Sequence, residues 1–457
     1  MRTMRPPVLV TLAAVGLGLT ACGSGGTPES GSTEPAADTT ITVAYQKTDS
    51  MTQLDALLQK SKAEFEEANP GMTIELQPIN AQEDGYFTKL ALMNGSPETA
   101  PDVIYEDTFQ VRADAAAGFL APMDEYLDDW EDWDQFADGA KEAGLGDDGK
   151  TYGISMGTDT RGIYFNKQIF EQAGLPADWQ PTTWADVLDA ARTVKEAVPG
   201  VIPLNIFGSK AQGEATSMQG FEMLLYGTED SLYDPETAKW ITGSQGFVDA
   251  LGVYDTIAKE GLGPDLQDAL DPNLPNRVSD ELLPQGKLAI AVNGSWVPGG
   301  WIAGGVPWPE WEDVMGLAKM PTQDGQEPGA TSMSGGWLLS VGAHADDPEA
   351  AFNFIAHTLN RENSFEYDTE ASQIAVRKDV ATDPEYLAFN PTFEFFSSLV
   401  DVTHFRPATP DYSQISSNIQ VATESVITGQ ATPEDAALTY DEALTQIVGD
   451  DGVQASD

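Results

Sequence analysis

Residues 41–76 read ITVAYQKTDSMTQLDALLQKSKAEFEEANPGMTIEL, and three patterns succeed one another within them. Ile41-Thr42-Val43-Ala44-Tyr45 is rich in β-branched and aromatic residues and predicts a strand. Leu54, Leu57, Leu58, Ser61 and Phe65 recur at helical spacing, and the helix they predict stops at Asn69-Pro70-Gly71. Met72, Ile74 and Leu76 then alternate as a second strand.

The alternation of elements continues outward from this unit. Asp102-Val103-Ile104-Tyr105, Ile202 to Ile206, Leu288 to Val292 and Trp337 to Val341 read as strands. Trp184, Val187, Leu188, Ala191 and Val194 line one helix behind Thr183 as N-cap, and Phe247, Leu251, Tyr254 and Ile257 line another. Ala351, Phe354, Ile355 and Leu359 mark a helix after the last of these strands. Two more helices close the chain, one carrying Ile415, Ile419, Ala422 and Val426 and the other Leu444 and Ile447. Interleaved strands and helices predict an α/β architecture with mostly parallel sheets. No repeat at solenoid periods is visible. A chain of 457 residues, 41% of them hydrophobic, is longer than one core usually serves, so two lobes are expected.

The charge is extreme, with 73 acidic against 23 basic residues and a net charge of −50. Nucleic acid is excluded as a partner, because such a surface repels phosphates. A surface of this kind suits a high-salt setting, where counterions screen the repulsion. The one cysteine, Cys22, lies in Leu19-Thr20-Ala21-Cys22-Gly23 behind Arg2, Arg5 and an apolar run from Val8 to Leu19. That run of about a dozen residues is too short to span a bilayer core of about 30 Å, and nothing after Leu19 approaches the length of a transmembrane helix. With a single thiol, an exported domain would rely on its core rather than on disulfides. Residues 23–40, GSGGTPESGSTEPAADTT, lack large apolar side chains and read as a flexible tether.

The N-terminal stretch resembles a bacterial lipoprotein signal peptide with its lipobox. The resemblance implies cleavage after residue 21, a diacylglycerol on the Cys22 sulfur and anchoring outside the cell; a chance cysteine in an ordinary cleaved signal is the other reading. Loss of Arg2 and Arg5 with the signal would take the net charge to −52.

Four further segments carry a second resemblance. They are EFEEANPGMTIELQPI with APDVIYEDTFQVRADAAAGFLAPMDEYL, YGISMGTDTRGIYFNKQIFEQAGLP with PTTWADVLDAARTV, LPQGKLAIAVNGSWVPGGW, and SGGWLLSVGAHADDPEAAFNFIAHTLNRENSFEY; the tail RPATPDYSQISSNIQVATESVITGQATPEDAALTYDEAL also fits. Together they resemble the extracellular solute-binding proteins, family 1, of ABC importers, the maltose-binding-like group. The resemblance implies a two-lobed periplasmic-binding-protein-like clamp (type II), each lobe a sheet flanked by helices, with a ligand cleft between them. Residues 41–154 with 327–392 would form one lobe and 155–326 with 393–457 the other. It also implies a monomer that captures a carbohydrate by hinge closure, passes it to a membrane permease, and needs no cofactor.

Sugar hydroxyls call for planar donors and acceptors, and the apolar face of a pyranose calls for a flat aromatic partner. Glu106 and Asp107 follow a buried-type strand, where ligands of open α/β sheets collect, and are candidate hydroxyl acceptors. Asp159 and Arg161 fall at the family's first crossover between lobes, and could either fork a sugar diol or brace the hinge. In Asn293-Gly294-Ser295-Trp296-Val297-Pro298-Gly299-Gly300-Trp301, the glycines and Pro298 are expected to prevent a regular helix from burying both tryptophans. Trp296 falls where family members often place a stacking aromatic, Trp301 is the second choice, and core packing is the alternative. Trp308 and Trp311 are expected to pack as structure. Gly335 and Gly336 would let backbone amides approach a ligand, with Trp337 either stacking or in the core. Arg406 is a candidate donor from the second lobe, Arg377 a weaker one, and Gln46 and Asp49 could reach the cleft from the first strand.

Paired carboxylates and tryptophans also describe glycoside hydrolases, whose two acids stand about 5 to 9.5 Å apart. Any acidic chain offers such pairs, and the resemblance points to a binder rather than an enzyme. A surface adhesin is disfavoured by the α/β layout, and a non-sugar solute is the remaining alternative. His344, His357 and His404 lack metal-ligand spacing, and the acidic run 124–138 fails the EF-hand pattern, so no metal is expected. That run reads instead as a solvated face around Trp130 and Trp133.

Overall fold

Ile41, Val43, Ala44 and Tyr45 are wholly buried in a strand, β1 (Thr39–Lys47), of the computed structural model, which describes residues 39–48, 52–81, 83–303 and 305–456. Cys22, residues 1–21, the tether as far as residue 38, and Asp49 lie outside the described residues. Helix α1 (Gln53–Ala68) follows and buries Leu54, Leu57, Leu58, Ser61 and Phe65, the stripe that the spacing predicts, together with Gln53. Its end is set by Asn69, whose backbone and side-chain N–H groups both donate to Phe65 O, and by Gly71, which turns the chain at φ +100°. Strand β2 (Met72–Asn80) then lies parallel to β1, in register from Thr39 opposite Met72 to Lys47 opposite Asn80.

Three more strands precede the first crossing: β3 (Val103–Asp107), β4 (Leu120–Ala121) and β5 (Ile154–Ser155). Next come β6 (Arg161–Asn166), β7 (Ile202–Asn205), the small pair β8 (Tyr233–Asp234) and β9 (Lys239–Thr242), then β10 (Leu288–Gly294) and β11 (Met315–Ala318). The last are β12 (Met320–Pro321), β13 (Ala330–Ser334), β14 (Trp337–Gly342), β15 (Thr403–Phe405) and β16 (Val453–Ala455). One sheet has the order β2-β1-β3-β14-β4 with β5 beside β14, and a second has the order β11-β6-β10-β7. A small sheet β12-β13-β15 connects them, and the expected lobe boundary at residue 327 falls just before β13 in it.

The sheets are mixed rather than mostly parallel. β1, β2 and β3 run parallel, as do β7 and β10, but β14 is antiparallel to β3, β4 and β5, and β6 is antiparallel to β10 and β11. The reason is connectivity: β14 enters the first sheet directly from β13 through Gly335-Gly336, without the helical crossover that a parallel neighbour requires.

Helices α2 (Trp184–Ala197) and α3 (Gln245–Glu260) pack with the second sheet. The Thr183 side chain accepts from Asp186 N and the Asp186 carboxylate accepts from Thr183 N, a complete capping box at the head of α2. After β10 comes the short helix α4 (Val297–Ile302). Helix α5 (Pro348–Thr358), with Ala351, Phe354 and Ile355 buried, joins the core of the first sheet together with α1, and Tyr367 of α6 (Arg361–Glu370) belongs to the same core. The closing helices α7 (Tyr412–Ile427) and α8 (Pro433–Val448) return to the core of the second sheet. Each sheet thus has its own apolar core, and among the described residues no helix is long and apolar enough to cross a membrane.

Candidate ligand cleft

A cleft of about 260 Å³ opens between the two sheet-centred bodies, lined by Gln46, Asp107, Gly336 and Trp337 from the first and by Trp296, Asn293 and Glu214 from the second. Asp159 and Arg161, just before and at the start of β6, and Arg406, just after β15, line it as well.

Asp107 reaches the cleft because of strand alternation. It is the last residue of β3, pairs with Trp337 of β14, and shares its face with Tyr105, so both line the cleft while Glu106 between them points to the opposite face. Glu106 is fully buried, neither carboxylate oxygen has a hydrogen-bond partner, and burial, then Asp114 and Asp107, push it well above the usual carboxylate range. The expectation that Glu106 accepts a ligand hydroxyl is therefore corrected: the pair lies within a strand, where only every second side chain faces the cleft.

Arg406 joins the two bodies. Its Nη2 donates to Asp107 Oδ1 at 2.5 Å and its Nη1 to Glu214 Oε2 at 3.2 Å, while the guanidinium sits 4.1 Å from the Phe109 ring centroid. All three ionic side chains are almost fully buried. Glu214 also accepts from Tyr412 at 3.2 Å and from Ser416, and Tyr412 donates at 2.7 Å to Glu222. Burial, then the charge of Glu214, pushes Glu222 up to about 7. Arg161 has a matching arrangement: its Nη1 donates to Asp159 and, at 3.2 Å, to Met333 O, and its guanidinium lies 4.7 Å from the Trp296 ring centroid. Asp159 Oδ1 also accepts from Gly335 N at 2.9 Å. Asp159 and Arg161 thus line the cleft and also tie the start of β6 to the end of β13. Each arginine in the cleft is neutralised by carboxylates of the protein itself.

The aromatic candidates separate. Trp296 is half-buried and lines the cleft, with its six-membered ring folded over Gly294, where a Cβ would fall 1.8 Å from a ring carbon. Trp337 lines the cleft too, stacked on Tyr105 at 4.3 Å and nearly parallel to Phe87 at 5.7 Å. Trp301 does not reach the cleft. A short helix does form over Val297–Ile302, with Pro298 in its first turn, where no N–H partner is lost; it buries Trp301 alone and leaves Trp296 half-buried at its N-cap, so the two tryptophans are not buried together. That helix buries Trp301 against Tyr164, Trp308 and Trp311, and its indole N–H donates to Ser279 O at 2.9 Å. Gly335 is likewise outside the lining: a Cβ there would lie 3.1 Å from Arg406 and 3.0 Å from Met218, so its smallness serves protein packing. Gly336 lines the cleft at φ +153°, where a Cβ would stand 2.7 Å from Gly157 O. Arg377 lies away from the cleft, buried between Asp132 and Asp379 at 2.9 Å each.

Sequence reasoning misses Tyr105, Glu214, Gln53, Gln373 and Asn293 as lining residues. Tyr105 and Asn293 were readable, since each stands at the carboxyl end of a strand beside a residue already singled out. Glu214 and Gln373 come from irregular segments without a pattern. Among the described residues no group of His, Cys, Asp and Glu could hold a metal ion.

The profile of the family described as "Bacterial extracellular solute-binding protein" matches residues 48–363. The galactooligosaccharide-binding protein of Bacillus subtilis is 21% identical over 433 residues, covering 94% of each chain. An sn-glycerol-3-phosphate-binding periplasmic protein of Rhizobium meliloti is 25% identical over 202 residues, 43% of each. Among solved structures, the GacH receptor of Streptomyces glaucescens, determined unliganded and with acarbose, superposes with a TM-score of 0.77 at 22% identity, covering 90% of this chain and 99% of that one. The maltose-bound MalE3 protein of T. maritima gives 0.75 at 21%, covering 89% and 99%. At such identity these structures speak for the two-lobed fold, and the profile match over most of the chain settles the rest: the chain belongs to the bacterial extracellular solute-binding proteins.

Proposed function

We propose that the protein captures an uncharged mono- or oligosaccharide in this cleft and delivers it to the permease of an ABC importer. The observation that carries the reading is the charge arrangement of the cleft. Arg161 is paired with Asp159, and Arg406 with Asp107 and Glu214, so neither presents an uncompensated charge to an anion such as a phosphate. What remains for a ligand is a polar, hydrogen-bonding wall with Trp296 and Trp337, which suits hydroxyls and the apolar side of a sugar ring. The lobes would be 41–154 with 327–392 and 155–326 with 393–457, closing about their connecting strands. A binder of this kind turns nothing over.

A thermal-shift screen tests the reading, with maltose, maltotriose, galactobiose, glucose and sn-glycerol 3-phosphate as probes. A ligand at about 100 times its dissociation constant adds roughly 2.7 kcal/mol of stability. A saccharide should raise the melting temperature and glycerol 3-phosphate should not; the reverse would sink the sugar assignment. Steady release of reducing ends from an oligosaccharide would instead identify an enzyme.

Cys22 is the proposed lipid anchor. Stable anchoring takes two acyl chains, which a diacylglycerol supplies, and the tether, ending before β1 begins at Thr39 rather than at the expected residue 40, would keep the clamp near its permease at raised effective concentration. In cells, Cys22→Ser should move the protein from the membrane fraction to the medium with saccharide affinity unchanged, whereas retention in the membrane fraction would exclude the anchor.

A further inference from the structure

Besides the Arg406 bridge and the contact of Phe109 with Tyr412, the two bodies also meet where α1 approaches α4. Gln53 opens α1 in the first body and is 4% exposed. Its Nε2 donates at 3.0 Å to Gly299 O in α4, which belongs to the second body, and at 3.1 Å to Glu370 O at the end of α6, which belongs to the first. Both protons of one amide are therefore used, one on each side. The Glu370 carbonyl lies in the last turn of its helix, where carbonyls have no partner within the helix.

Gly299 makes the approach possible. A Cβ at this position would stand 2.8 Å from both the carbonyl carbon and the oxygen of Ala371, and 3.0 Å from Glu370 O. These are backbone atoms that end a packed helix, so they cannot swing aside. At Gly300, the next residue of the same helix, a Cβ would meet nothing within 4 Å, so the close approach is confined to one residue.

We infer that Gln53, Gly299 and the carbonyls of Glu370 and Ala371 form a latch that holds the two bodies together beside the cleft and sets how readily they part. The buried bond to Gly299 O crosses between the bodies and favours the latched arrangement, while the bond to Glu370 O, within the first body, holds the Gln53 amide in place for it. Gln53 Oε1, buried without a partner, opposes it. Such a balance suits a contact that must form and break. Gln53 and Ala371 also line the cleft, so a hydroxyl donated to Oε1 from the cleft would remove the opposing cost and couple occupancy to latching.

The latch does not depend on what the ligand is, and its test needs none. In a Cys22→Ser background, spin labels at Leu92→Cys in the first body and Lys259→Cys in the second, both strongly exposed, report the separation of the bodies by pulsed electron resonance. The parent protein should populate the separation seen in this structure. Gly299→Ala should reduce that population about tenfold or more, since overpacking a close contact is destabilising. Gln53→Met, which keeps the bulk and removes the donors, should reduce it less. Gly252→Ala, at a helical position with open space around it, should leave it unchanged. Thermal melts identify any variant that fails to fold, and if Gly299→Ala does so, Gln53→Met alone decides. A parent protein without the short separation, or a Gln53→Met and a folded Gly299→Ala that both keep the parent distribution, would overturn the latch.

Discussion

Trp296 can lie where it does because Gly294 has no side chain: the ring occupies the space in which a Cβ would stand. Gly294→Ala should therefore displace the ring and weaken saccharide binding about as much as Trp296→Ala, roughly tenfold for one aromatic contact. Titration calorimetry measures both, and unchanged affinity in Trp296→Ala would return that residue to a packing role. Arg406 is the residue whose loss should cost most stability. Arg406→Met leaves Asp107 and Glu214 buried without their cation, a defect worth about 3 to 5 kcal/mol in other buried pairs, measurable by urea unfolding. At this scale the sequence was legible in kind and less so in direction. It brings Asp107, Asp159, Arg161, Trp296 and Gln46 forward, and all of them line one cleft. It cannot show that Arg406 is already engaged, because Asp107 lies 299 residues away along the chain.

At the scale of elements, local chemistry decides where helices begin and packing decides which survive. The capping box of α2 is written in Thr183 and Asp186 and acts alone, so Thr183→Ala should lower stability by about 1 kcal/mol in denaturant titration without touching the cleft. Helix α4 is the opposite case. Its sequence, VPGGWI, holds two glycines and a proline and argues against a helix, yet the burial of Val297 and Trp301 holds one together. The same tension explains the mixed sheets. Alternation of apolar residues announces β14, but only the return of the chain through β13 makes it antiparallel to β3.

For the whole molecule, the buried acids Glu222 and Asp114 contribute a pH dependence of definite sign. Burial pushes Glu222 up to about 7 and Asp114 up to about 6, from ordinary values of 4.5 and 3.8. Between the ordinary and the raised values the folded chain holds protons that the unfolded chain has released, so the contribution of these two groups to stability is full below about pH 4 and falls as pH rises toward 7. Self-repulsion of a chain with net charge −50 acts in the same direction. Glu222→Gln should flatten the decline by up to ~3 kcal/mol, and an unchanged slope would mean that Glu222 ionises freely in the fold. Molar salt should raise the melting temperature at pH 8 by screening the surface; identical melts in low and molar salt would exclude charge repulsion as a factor. The sequence by itself determined the α/β class, the helix and strand cores and the acidity, because these rest on periodicity, composition and local capping, which act over a few residues, and its segments carried the resemblance to the family. The tertiary structure alone decided that Glu106 and Trp301 are buried away from the cleft, that Arg406 spans it, and that Gln53 meets Gly299. Those outcomes depend on which distant backbones come within hydrogen-bonding distance, and no local pattern encodes that.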